Sequence, residues 1–167
     1  PPSTTLTAFF DLCKKDEFAK TLLYREVPQY YTWERNKFFR RKRGQDVDGF
    51  PGVKKDTALG RVYNAHPTQT ECYYLRILLQ HVRGPTSFED LRTVNGIILQ
   101  TYQGTCKRLG LLEGDQHWEN TLSDAVVSET ATKLRELFTI ILIFCQPSDP
   151  FELWSKFRND LCEDILY

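Results

Sequence analysis

"LRELFTIILIFCQPSDPFELWSKFRNDLCED" (residues 134–164) decides the fold, because it reads as two helices and the turn between them. Its first part loses its polar face within the run "LFTIILIFC" (137–145), so the spacing predicts a buried central helix over 134–145. Asp149-Pro150-Phe151-Glu152 then reads as a capping box with Pro at the first helical position. Trp154, Phe157, Leu161 and Ile165 carry an apolar stripe at helical spacing to the end of the chain. The apolar run is far short of the roughly 20 residues that cross a bilayer, so no membrane span is expected.

Working outward, the same period governs everything after Pro67. Cys72, Leu75, Leu79 and Val82 mark a helix that Gly84-Pro85 ends, and Ser87 with Asp90 suggests a capping box opening "FEDLRTV". Ile98, Tyr102, Cys106 and Leu109 mark another helix, closed by Gly110; Trp118, Leu122, Ala125 and Val126 mark a third. At the other end, Leu6, Phe9, Phe10 and Cys13 have helical spacing, and Phe18, Leu22 and Leu23 suggest a second short helix stopped by Pro28.

The middle is different. "YYTWERNKFFRRKRG" (30–44) packs five aromatics and six positive charges into fifteen positions. Tyr31 and Trp33 alternate onto one strand face and Tyr30, Thr32 and Glu34 onto the other, Glu34-Arg35-Asn36-Lys37 supplies a polar turn, and "KFFRRKR" makes a return strand. "GQDVDGFPGVKKDTALG" (44–60) reads as a mobile loop, and "RVYNA" (61–65) as a third strand. The expected fold is mainly α: a helical domain with a small β-hairpin, of two to three short strands, inserted near residues 29–65. One domain spans 1–167, with short helices over 1–28, the basic hairpin and loop over 29–65, and a helical bundle over 68–167.

Composition sets the class. With 167 residues, 41% of them hydrophobic and 13% aromatic, the chain has the length of one domain and the means to bury a core. Methionine is absent even at position 1, which suggests a fragment of a longer protein. Cys13, Cys72, Cys106, Cys145 and Cys162 are odd in number and form no C-x-x-C pair, so reduced thiols in a cytosolic or nuclear compartment are expected. No signal peptide is evident in "PPSTTLTAFF". The zero net charge hides a split, since residues 1–63 hold 13 basic against 8 acidic side chains and residues 64–167 hold 9 against 14. A local basic patch, rather than a global field, is what would attract a polyanion.

Catalytic motifs are lacking. No G-x-x-x-x-G-K-[ST] occurs, and "GVKKDT" (52–57) lacks the second glycine. His66, His81 and His117 do not have metal-pair spacing, there is no G-x-S-x-G, and the acids of "EGD" (113–115) and "CED" (162–164) sit at expected helix ends. No catalytic residue, metal or cofactor is assigned to this chain.

"YYLRILLQHVRGPTSFEDLRTVNG" (73–96), "LGLLEGDQHWENTLSDA" (109–125) and the stretch 134–164, together with "STTLTAFF", "YREVPQYYTW" and "LGRVYNAHP", resemble the Helitron transposase family. These are eukaryotic rolling-circle transposon proteins that join a Rep-type HUH nuclease to a superfamily-one DNA helicase. The resemblance runs over nearly the whole chain and falls on the region between nuclease and helicase core. It implies adjacent nuclease and helicase domains as partners, a nuclear location, and ATP and Mg only in the helicase core, outside this chain.

Such a protein has to hold a displaced single strand of DNA. Single strands are held by positive grooves with aromatic platforms on which bases stack. Arg35, Lys37, Arg40, Arg41, Lys42 and Arg43 are the candidates for the groove, and Tyr31 or Trp33 for the platform. The competing readings are an aromatic face that is core packing with charges guarding a sheet edge, and an import signal in "RRKR". The expected function is a non-catalytic connecting segment that contacts DNA through the basic hairpin; the alternative is a structural adaptor docking neighbouring domains.

Overall fold

A computed structural model describes residues 3–58, 60 and 69–165. The strand expected over 61–65 and His66 lie outside the described residues. Where the chain is described it is mainly helical, with three small antiparallel hairpins.

Helix α1 (Thr5–Lys15) starts at a reciprocal cap: Thr4 Oγ1 accepts the Thr7 amide at 3.2 Å and Thr7 Oγ1 accepts the Thr4 amide at 3.0 Å. The second short helix resolves into two single 3-10 turns, Ala19–Thr21 and Tyr24–Glu26, which seat Phe18, Leu22 and Leu23 inward. Pro28 does not stop a helix. It lies in the first turn of α2 (Val27–Tyr30), where its missing N–H has no intrahelical partner to lose.

Strands β1 (Tyr31–Glu34) and β2 (Lys37–Arg40) pair with Tyr31 opposite Arg40 and Trp33 opposite Phe38. Arg35 and Asn36, at φ 50° and 60°, make the left-handed two-residue turn that matches the twist of a hairpin. Tyr30 belongs to the helix, and β2 ends at Arg40, so the return strand is shorter than "KFFRRKR". The stretch expected to be a mobile loop carries a second ladder instead. There β3 (Gln45–Asp46) pairs with β4 (Lys54–Lys55), and Val53 is buried. Gly44, at φ 134°, passes so close to the Lys55 carbonyl that any Cβ would collide with it.

Helix α3 (Thr70–His81) buries Tyr73, Tyr74, Ile77, Leu78 and Leu79 and leaves Cys72 exposed. The stripe is thus rotated from the one Cys72 predicted, because two tyrosine rings bury more area than one thiol and their hydroxyls find partners in Thr121 (3.1 Å) and Gln103 (3.3 Å). Helix α4 (Phe88–Leu91) does begin with Ser87 accepting the Asp90 amide at 2.9 Å, but the Asp90 carboxylate accepts from Thr86, not from Ser87. After one turn the chain leaves the helix. Asn95-Gly96, at φ 50° and 80°, forms another left-handed turn joining β5 (Thr93–Val94) to β6 (Ile97–Ile98). Ile98 is therefore a strand residue, and α5 (Tyr102–Arg108) starts at the Thr101 cap and closes at Gly110.

The bundle continues through α6 (Gln116–Ser128), α7 (Ala131–Ile140) and α8 (Pro150–Leu161), the last capped by Asp149 accepting the Glu152 amide. The run expected to be buried throughout is not. Leu134, Phe138 and Ile141 face inward, whereas a π-helical turn, Ile141–Cys145, leaves Leu142, Ile143 and Phe144 exposed. In α8 the inward stripe is Leu153, Phe157 and Leu161, with Trp154 and Ile165 outside it. Asp115 ties the α7–α8 connection to the start of α6 by accepting the Ser148 and Asp149 amides at 2.7 and 2.6 Å.

Two apolar clusters result. The larger joins α3 to α8, and the smaller joins Phe9, Cys13, Phe18, Ala19, Leu22, Val27, Tyr31 and Val53 beneath the first hairpin. Helix α1 serves both, giving Phe10 to the first and Phe9 and Cys13 to the second. Gly84 meets the backbone of Lys20 with no room for a Cβ, and Arg83 bridges to Glu26 at 2.8 Å, so the end of α3 is clasped to the N-terminal segment. Among the described residues no helix is long and apolar enough to cross a membrane.

Candidate nucleic-acid interface

The first hairpin has two unlike faces. Alternation and register place Tyr31, Trp33, Phe38 and Arg40 on one face and Thr32, Glu34, Lys37 and Phe39 on the other. The first face lies toward α1, held there by Asp16 at the helix end. One carboxylate oxygen of Asp16 accepts from the Tyr31 hydroxyl (2.7 Å) and Arg40 Nε (3.1 Å); the other accepts from Arg40 Nη2 (2.9 Å) and the Phe18 amide (2.9 Å). Burial alone would raise the Asp16 carboxyl, but hydrogen bonds from Arg40 and Tyr31 outweigh it and hold the group below the ordinary carboxylate range. Burial, helped by the Asp16 charge, pushes the Tyr31 hydroxyl upward, so it stays protonated and donates.

These contacts place the two expected aromatics in different surroundings. Tyr31 is 2% exposed and spends its hydroxyl on Asp16, so its ring is a core residue. Trp33 is 37% exposed and half covered by Phe38, ring centres 4.8 Å apart. Phe39, 48% exposed on the opposite face beside Thr32, is the open ring. The sequence held half of this: adjacent strand residues point to opposite faces, so "FF" puts one ring on each side of the hairpin without telling which side is open.

The cations divide as well. Arg35, Arg40, Arg41, Lys42 and Arg43 line one open concavity with Phe39 and Thr32, at whose rim Glu34 and Asp56 also lie. Lys37 instead sits with Asn36 and Phe38 over the groove beside α1. Arg40 is committed to Asp16. Arg41 donates to the Pro28 carbonyl at 2.9 Å and pairs with Asp56 at 3.2 Å, so both are braced while their charge still contributes to the local field. Arg35, Lys42 and Arg43 are exposed and have no ion-pair partner among the described residues.

Such a surface combines unpaired positive charge with one exposed aromatic ring on a braced two-stranded ribbon. Cations release condensed counterions from phosphates, and a ring stacks on any base. Among the described residues no group of three or more His, Cys, Asp or Glu side chains gathers as metal ligands do. Burial pushes the Cys13 and Cys106 thiols up to about 12, which leaves them protonated and poorly nucleophilic. The sequence matches no protein-family model and no curated protein.

Proposed function

We propose that this chain is a non-catalytic connecting segment of a Helitron-like transposase-helicase, and that the outer face of its first hairpin holds single-stranded DNA. The observation that carries the DNA contact is Phe39, exposed among Arg35, Arg41, Lys42 and Arg43 on a ribbon whose other face is anchored to α1. The likeness of sequence described above supports the transposase context, with neighbouring nuclease and ATP- and Mg-dependent helicase domains as partners in the nucleus. Anisotropy of a labelled oligothymidine strand tests the reading: binding should weaken steeply with salt and be lost with Phe39→Ala more than with Trp33→Ala.

The second reading is an adaptor. Exposure of Leu142, Ile143 and Phe144 after α7 favours it, since a turn of large apolar side chains in water marks a contact surface. Absence of strand binding by the intact chain at low salt would move the function there.

A further inference from the structure

The two ion pairs that brace the first hairpin are held in different ways. Asp16 is 11% exposed, and its two oxygens accept four hydrogen bonds, so Arg40 is fixed by a carboxylate that is itself fixed. Asp56 is 48% exposed, and its Oδ2 meets Arg41 Nη1 at 3.2 Å in the open concavity that both share with Phe39. The other oxygen of Asp56 accepts only from its neighbour, the Thr57 amide at 2.6 Å and the Thr57 hydroxyl at 3.4 Å.

Neither partner of this second pair needs the other for its place. The Arg41 amide donates to the Tyr30 carbonyl at 2.9 Å, and Arg41 Nε donates to the Pro28 carbonyl at 2.9 Å. The Asp56 amide donates to the Gln29 carbonyl at 2.7 Å. Consecutive carbonyls of α2 thus position both residues, and the contact between their charges is free to break. A partly exposed ion pair adds little to stability. A guanidinium, moreover, offers the same fork of donors to carboxylate and to phosphate oxygens.

We propose that Arg41 Nη1 is a phosphodiester subsite of the strand path, and that Asp56 is a built-in acid that fills it until a strand displaces it. The inference rests on the reading of the hairpin as a strand-binding surface. Arg35, Lys42 and Arg43, which have no ion-pair partner among the described residues, make the first phosphate contacts; Arg41 joins them as the carboxylate leaves. Asp56 therefore keeps the affinity below what the cations of the concavity would give alone.

Anisotropy titrations of labelled oligothymidine over a range of salt compare the whole chain with Asp56→Asn, Arg41→Gln and the double variant. Asp56→Asn should tighten strand binding by up to about fivefold, the range open to an exposed ion pair. Arg41→Gln should weaken binding and make the slope of log affinity against log salt shallower by about 0.7, the share of one phosphate. Most of the gain from Asp56→Asn should vanish once Arg41 is Gln, because the carboxylate acts through that guanidinium. In the wild type, the side-chain carboxyl ¹³C signal of Asp56 should shift as strand saturates the protein, a readout that needs no variant to fold. If the wild type binds and Asp56→Asn binds no tighter, if the gain is as large with Arg41→Gln, or if the carboxyl signal stays put at saturation, the proposal is overturned and the strand reading stands. A wild type that binds no strand at low salt removes both.

Discussion

Two hairpins in this chain share a turn geometry and little else. β1–β2 turns through Arg35-Asn36 and β5–β6 through Asn95-Gly96, all with positive φ. The first rests one face on α1 through Tyr31 and Arg40, both held by Asp16, and presents the other face with its ring and cations. The second leaves Ile97 and Ile98, on opposite faces, more than half exposed, and has no basic side chain between Thr93 and Ile98. A left-handed two-residue turn is enough to make a ribbon. What makes a ribbon a rigid binding surface is a second, long-range anchor, and Asp16 gives the first hairpin one.

Removing the anchor should have the largest effect. Tyr31→Ala empties a buried aromatic site and frees Asp16 of one donor, so unfolding free energy should fall by about 3–5 kcal/mol in a denaturant titration. Trp33→Ala, one strand position pair away but half covered, should cost clearly less. Equal losses would erase the distinction between a seated ring and a peripheral one.

Asp16→Asn comes next. It puts an amide NH2 or a neutral oxygen against donors that need carboxylate oxygens, and about 1–3 kcal/mol should be lost. The pH dependence sharpens this. Because the folded carboxyl titrates below its unfolded value of about 3.9, its contribution is complete above that value and is lost as pH falls through the lower folded one. Melting curves from pH 6 down to pH 2 should show the Asn variant converging on wild type at the acid end. Parallel curves would mean that Asp16 does not carry the anchor.

Phe39→Ala should leave stability within about 0.5 kcal/mol, as exposed positions do, yet weaken single-strand binding by about 1–3 kcal/mol. The smallest effect belongs to the other hairpin: Ile97→Ser with Ile98→Ser should leave strand affinity as it was. A loss there equal to that of Phe39→Ala would show that both ribbons, or neither, form the strand path.

The mainly helical fold was legible because caps and stripes are local. Ser87, Asp149-Pro150 and Gly110 all stand at helix ends as their chemistry requires. Asn95-Gly96 was equally plain as a hairpin turn, but the apolar spacing from Ile98 to Leu109 overrode it and lengthened α5 toward the N-terminus. The stripe of α3 was misplaced because Cys72, Leu75, Leu79 and Val82 fit helical spacing as well as Tyr73, Tyr74, Ile77 and Leu78 do, and the tyrosine hydroxyls are satisfied inside. At the site, the basic cluster was visible, but the choice of ring was not. That choice depends on Asp16, 24 residues from Arg40 in sequence, and no local pattern encodes which face of a hairpin an acid on another element will claim.

The most direct test of the basic face is the salt dependence of strand binding, measured by anisotropy with labelled oligothymidine on wild type and on the combined variant Arg35→Gln, Lys42→Gln, Arg43→Gln. These side chains lack ion-pair partners among the described residues, so the fold should be undisturbed. Each phosphate contact contributes about 0.7 to the slope of log affinity against log salt for single strands, so the variant's slope should be shallower by about 2. Equal slopes, or a wild-type chain that binds no strand at low salt, would contradict the account.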